Sequence, residues 1–309
     1  MVTTAPPERR TVGGQWGGVV LLLTETAGPG RRGFAGTFGQ AGVPLGVILG
    51  NVAFLVVGAV APAASFAAWG WRVPFLASAL LFPVVLFIQL KIEDSPVFRE
   101  IQAQRPSGPP PAPLKEVLRR HRRPVVLGAG LMFASNAVFY VSIAGVLDYA
   151  TRELGLARNS VLVVTLVSSL LSVPVILLAG RWSDRHGRRP PIVAGAVAMA
   201  VWAFPYFWLI DTGSLGLVFV ALAVSGIASS LVYGPVAAYL AELFEPRVRY
   251  SGASLAYQLA SILVSGGSPV VMTALLAATG TSASVSAFLL VMALVTLGSV
   301  LGLRETHRS

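Results

Sequence analysis

The chain has 309 residues, of which 55% are hydrophobic and only 12% charged. Its mean hydropathy is +0.74. A soluble domain carries roughly 25% charged residues, so the composition excludes an ordinary soluble domain and predicts an all-α multispan membrane protein. It has no cysteine, which excludes a disulfide framework and a thiolate metal site. The net charge of +10 would point to nucleic acid in a soluble protein. Here the charges sit between apolar runs and read as the positive-inside bias of a membrane chain. No nucleic-acid partner is expected; the lipid bilayer is.

A membrane helix needs about 20 apolar residues. Nine candidate spans follow in order, near Val12–Ala27, Phe34–Ala61, Trp71–Leu90, Pro124–Tyr149, Ser160–Ala179, Pro191–Ile210, Gly213–Ala241, Ser251–Ala278 and Ala283–Leu303. The first is short. All are predicted helical, because lipid cannot satisfy exposed backbone groups. The alternating ten-residue segments of a membrane barrel are absent.

Most of the 23 Lys and Arg residues fall on one side of these spans. They include Arg31, Arg32, the run Lys91 to Arg123, Arg181, Arg185, Arg188, Arg189, Arg247, Arg249 and Arg304. The bias places the C-terminus and the long loop in the cytoplasm of a multi-pass cell-membrane protein. Arg9 and Arg10 then lie on the wrong side.

The only long connection runs from Glu93 to Arg123, and Arg105–Pro113 favours extended polyproline geometry. Leu114–His121 is predicted to form a short basic amphipathic helix on the membrane surface. This loop reads as a hinge. It divides the chain into a partial bundle over 1–92, the loop over 93–123 and a six-helix bundle over 124–309.

A long-period repeat supports that division. Trp16, Gly17, Glu25, Pro29 and Arg32 recur at one fixed offset as Tyr233, Gly234, Glu242, Pro246 and Arg249. Glu93 and Glu305 echo them at the ends of the third and ninth spans. In helices the offset is six, so the chain holds one and a half copies of a six-helix repeat. Six-helix repeats joined by a central cytoplasmic loop describe a transporter architecture with the substrate between the halves.

The segment Gly180-Arg-Trp-Ser-Asp184-Arg185-His-Gly187-Arg188-Arg189 resembles the G-x3-D-R-x-G-R-R signature of the major facilitator superfamily. More narrowly, the chain is similar to metabolite:proton symporters. The residues that carry this resemblance are Gly13–Gly18, Glu25–Arg32, Trp71–Phe75, Glu93–Phe98, Tyr233-Gly-Pro235 and Glu242–Gly252. It implies a major facilitator fold equivalent to helices 4–12, with the first three helices missing. It also implies secondary active transport, by proton-coupled symport of a small organic acid or compatible solute. The partners implied are a small-molecule substrate and protons. Gln15 stands where such proteins usually have Glu. The alternative is a truncated, non-transporting membrane fragment or interaction protein.

Asp184, Arg185, Arg188, Glu242 and Arg249 are expected to meet at the cytoplasmic edge. Charges at such a depth need partners, and a latch of this kind would form in one transport state and break in the other. Glu25 and Arg32 are the matching pair of the first half, expected to have only each other. Gly180 and Gly187 are motif positions. No span centre carries a charge. Neutral polar residues are the substrate-site candidates: Asn136 with Tyr140, Gln258 with Ser261 and Ser265, Gln40, and Tyr233. Gly266–Pro269 is expected to bend the eighth span. Gly42, Gly46 and Gly50 form a small-residue stripe, expected to pack between the halves. No cofactor, metal site or enzymatic activity is expected, since no ligand cluster or nucleophile–base pair falls at a membrane face.

Overall fold

A computed structural model describes residues 15–28, 30–91 and 113–306. Glu93, the proline-rich stretch up to residue 112, Arg9, Arg10 and Pro29 lie outside the described residues. Among the described residues nine apolar helices appear: α1 Gln15–Thr26, and α2 Arg32–Val60, α3 Gly70–Phe87, α4 Arg122–Arg152, α5 Arg158–His186, α6 Arg189–Ile210, α7 Leu215–Glu242, α8 Arg249–Thr279 and α9 Ala283–Gly302. All but α1 are long and apolar enough to cross a membrane.

The ends of these helices follow backbone chemistry. Gly187 terminates α5 at φ 102° and Gly280 terminates α8 at φ 64°, a region costly for any residue with a Cβ. Proline occupies the first turn of α6, where its missing N–H is not needed. Pro44, Pro174, Pro205 and Pro235 lie inside helices, tolerated where neighbouring helices satisfy the freed carbonyls.

The main core lies among α4 to α9, around Leu131, Met132, Tyr206, Phe207, Tyr239 and Leu240. The short helix Pro113–Arg120 sits where the amphipathic pattern predicts it. It inserts Val117 into that core. α1 packs Val20 against Ala237 and Ala241 of α7. α2 buries Gly33, Gly36, Thr37, Gln40, Ala41 and Pro44, a spacing that keeps one face toward α5 and α7. α3 is barely enclosed, with 6% of its most apolar window buried. It touches α2 through Phe54 and Phe75, whose rings meet edge to face at 5.8 Å.

Three expectations are corrected. The stripe Gly42, Gly46, Gly50 packs against nothing, since a Cβ at any of them would meet open space. The close approach between the halves uses Gly33 and Gly36 instead, two turns earlier. Spacing alone marks small-residue stripes without saying which one faces a neighbour. The fifth span also does not end at Ala179: α5 stays helical through His186 and carries the Asp-Arg motif, because hydropathy marks where lipid ends and not where a helix ends. The interruption of α8 falls at Gly266–Gly267 as expected, but it begins a turn earlier, with a π-helical turn over Ser261–Ser265. α4 carries a matching π turn over Val141–Gly145.

Candidate functional site

Two features stand out: a buried charge cluster at the arginine-rich end, and a cavity between the halves. The cluster is built on the end of α5. Asp184 Oδ1 accepts from the Gly33 N–H at 2.7 Å and Oδ2 from the Phe34 N–H at 2.8 Å. The carboxylate thus caps α2, satisfying N-terminal groups that have no partner within their own helix. A Cβ on Gly33 would collide with Arg188, Ser183 and Asp184, so glycine is what lets α2 come this close.

Arg188 lies between two acids. It binds Glu242 through two parallel bonds, Nε to Oε2 at 3.0 Å and Nη2 to Oε1 at 2.8 Å. Its Nη1 reaches Asp184 at 2.7 Å and the Ser183 hydroxyl at 2.9 Å. The side chains of Arg188, Asp184 and Glu242 are only 3%, 6% and 11% exposed. Burial works against the guanidinium charge. Glu242 and then Asp184 outweigh it and hold the Arg188 pKa above its ordinary value.

The chain end after α9 closes over this cluster. Glu305 accepts from the Arg188 and Arg189 N–H groups at 2.8 and 3.0 Å, capping α6. Thr306 donates to Glu242 at 2.6 Å. The Tyr239 hydroxyl donates to the Arg304 carbonyl at 2.7 Å. Sequence reasoning saw Glu305 only as an echo of Glu93 and missed Ser183 and Thr306; nothing in their spacing signals a contact made across the bundle.

Arg249 does not join this cluster. It pairs with Glu25 of α1 at 3.2 Å and donates to the Phe244 carbonyl at 3.3 Å. Glu25 therefore finds its partner in the other half of the chain, contrary to the expectation that it has only Arg32. Arg32 and Arg185 are exposed. The correction has a geometric origin: α1 reaches α8, which a sequence repeat cannot show. Because the pair is part-buried, Arg249→Ala is expected to shift the balance toward the state open at this end by up to about fivefold, or ~1 kcal/mol. The chain contains no cysteine, so labelling of a single cysteine placed at this end reads the shift. Exchanging the charges in E25R/R249E should restore the wild-type rate, and failure to do so would remove the pair from the latch.

The cavity spans about 890 Å³ when its open mouth and the solvent space there are included. α2 contributes Val43 and Pro44; α4, α5, α7 and α8 contribute the rest. Both π turns face it, through Ser142 and Ile143 of α4 and Ser261 and Ser265 of α8. Such turns occur often at functional sites. Asn136, Tyr140 and Tyr233 line it, and no charged side chain does so among the described residues.

Gln40 and Gln258 are not lining residues. Gln40 is fully buried and spends both ends of its amide, accepting from Trp16 Nε1 at 3.0 Å and donating to the Tyr233 carbonyl at 3.0 Å. Tyr257 takes the place expected for Gln258. Tyr257, Ser261 and Ser265 follow at steps of four, and Trp16 stacks on Tyr257 with centroids 4.1 Å apart. The larger omission is on α5. Thr165, Ser168, Ser169 and Ser172 all line the cavity. Their i, i+3, i+4, i+7 spacing was a readable signal for one helical face.

A helical bundle with this signature on α5, and with a cavity between two halves, is a transporter architecture. The family model of the Major Facilitator Superfamily matches residues 125–309, and that of sugar (and other) transporters matches residues 11–107. The chain belongs to the Major Facilitator Superfamily, a family of secondary transporters and not of enzymes. The inner membrane metabolite transport protein YhjE of Escherichia coli K12 is 35% identical over 304 residues, covering 96% of this chain and 68% of that protein. The shikimate transporter of the same organism is 29% identical, covering 100% of this chain and 71% of its own length. The proton:xylose symporter XylE shares the fold at a TM-score of 0.66 and 20% identity, over 91% of this chain and 65% of that one. The chain thus spans about two thirds of the length of these proteins.

Proposed function

We propose that the chain serves proton-coupled symport of a small organic acid or compatible solute across the cytoplasmic membrane. In this reading the arginine-rich end and the C-terminus face the cytoplasm. The observation that carries it is the placement of the two features. The Asp184–Arg188–Glu242 cluster and the Glu25–Arg249 pair tie the two halves together at one end. The cavity lies beyond them, along the middle of α5 and α7. This is a molecule shut at the charged end, and alternating access requires those ties to break in the other state.

One observation favours a second reading, a membrane protein that does not transport: no acid or histidine that could carry a coupling proton lines the cavity among the described residues. Uptake into vesicles containing the purified chain separates the two. Transport predicts accumulation of a radiolabelled solute when the outside is made acid, and its loss when a protonophore collapses the gradient. No uptake under any gradient, from protein that remains folded, would overturn the symport reading.

A further inference from the structure

Toward the arginine-rich end the cavity stops at one layer of side chains. Tyr257 is the last lining residue of α8 before Arg249, Tyr233 the last of α7 before Glu242, and Val43 the last of α2 before Arg32. Gln40 lies one turn nearer to Arg32. Three contacts knit this layer. Trp16 of α1 stacks on the Tyr257 ring, with centroids 4.1 Å apart and planes 19° from parallel. Its indole N–H donates to Gln40 Oε1 at 3.0 Å, and Gln40 Nε2 donates to the Tyr233 carbonyl at 3.0 Å. Four helices meet here, α1 and α2 from one half and α7 and α8 from the other. Gln40 is 0% exposed, so water does not compete for its bonds. α1 comes this close because Gly17 follows Trp16: a Cβ there would collide with the Ser254 hydroxyl of α8. None of these side chains is charged. The Asp184–Arg188–Glu242 cluster and the Glu25–Arg249 pair lie further out, at the helix ends.

We propose that Trp16 is a lid sealing the cavity toward the arginine-rich end, and that Gln40 is the positioning residue that holds its ring on Tyr257. The proposal rests on the transport reading above in taking this end as the one that opens. A tryptophan side chain turns about two torsions between staggered wells. The Gln40 amide selects one of them by accepting the indole proton. Gln40 is itself held by a main-chain carbonyl of the opposite half, which cannot rotate away. Parting α2 from α7 breaks that bond, frees the amide and releases the indole. The lid therefore opens with the halves and stays shut while they are joined. The charged ties hold the helix ends together, and the stacked rings close the path inside them.

The chain has no cysteine, so Ser261→Cys places a single thiol on the cavity wall. The full chain is sealed in vesicles with the arginine-rich end outward or inward, and an impermeant maleimide is added outside with no gradient and no solute. Labelling from the arginine-rich side is expected to be at least about tenfold slower than from the other side, in proportion to the minor open state. Trp16→Ala should speed it from that side at least about tenfold. Gln40→Met keeps the length, removes the amide and should speed it roughly three- to tenfold. Added to Trp16→Ala, Gln40→Met should change nothing further, because no lid is left to position; a merely structural role would make the two effects add. Tyr257→Phe keeps the stacked ring and should leave the rate unchanged. Equal labelling from both sides, a rate untouched by Trp16→Ala or by Gln40→Met, additive effects of the two, or faster labelling in Tyr257→Phe each overturns the proposal. Gln40→Met and Tyr257→Phe are mild changes, so the proposal stays testable if Trp16→Ala fails to fold. Labelling as expected without gradient-driven uptake would sink the transport reading and leave the lid standing. Gradient-driven uptake with labelling untouched by Trp16→Ala would do the reverse.

Discussion

Arg188→Ala is expected to destabilise the folded chain by about 3–5 kcal/mol, the cost of removing one partner from a buried ion pair. Nearly all of its guanidinium is enclosed, and it alone stands between Asp184 and Glu242. Without it, two carboxylates are left close together in a site with little water. Arg188→Lys should recover only part of the loss, because an ammonium cannot make the two parallel bonds to Glu242. The informative control is R188M/D184N/E242Q, which removes the charge from all three positions. Thermal unfolding in detergent should place this triple variant above Arg188→Ala. A triple variant no more stable than the single one would show that charge is not what the cluster contributes.

Gly180→Ala is expected to be the most damaging single-methyl change between the halves. A Cβ there would collide with the Thr37 side chain, and would come within 2.9 Å of the Gly33 carbonyl and 3.1 Å of Phe34 Cα. Two of these neighbours are backbone and cannot rotate away, so α2 and α5 have to separate. Overpacking of this kind costs about 1–3 kcal/mol, enough to shift the closed state by roughly five- to 150-fold. A cysteine pair across α2 and α5 at this level should cross-link more slowly in the variant. Gly298→Ala on α9 meets nothing within 4 Å and should leave the rate unchanged. Equal rates in both variants would mean that contact at Gly180 does not hold the closed end.

The spans were legible because the membrane enforces them: length and hydropathy placed all nine helices within a few residues, except where α5 runs on past the lipid. The acids and bases of the cluster were legible as charges that need partners. Which partner each one takes was not. Arg249 and Glu25 are 224 positions apart, and only the packing of α1 on α8 joins them. Gln40 looked like a cavity residue, because a buried amide on an apolar helix fits a ligand and a strut equally well. Its two bonds to Trp16 and Tyr233 decide the matter, and neither is visible in spacing. The hydroxyl face of α5 was legible and overlooked, since serines and threonines in an apolar helix are easily read as neutral filler.

The π turn in α4 sets the phase of that helix. Below it, Asn136 and Tyr140 face the cavity. Above it, Val146 and Ala150 are fully buried in the bundle, and Tyr149 donates to Asp211 at 2.8 Å. Asp211 in turn accepts from Ser282 at 2.5 Å, so this anchor gathers the ends of α4, α6 and α9. An α-helix of uniform pitch turns by about 100° per residue and could not serve both ends with this spacing. The extra residue is a phase correction, letting one rod line the cavity at its middle and lock to its neighbours at its tip.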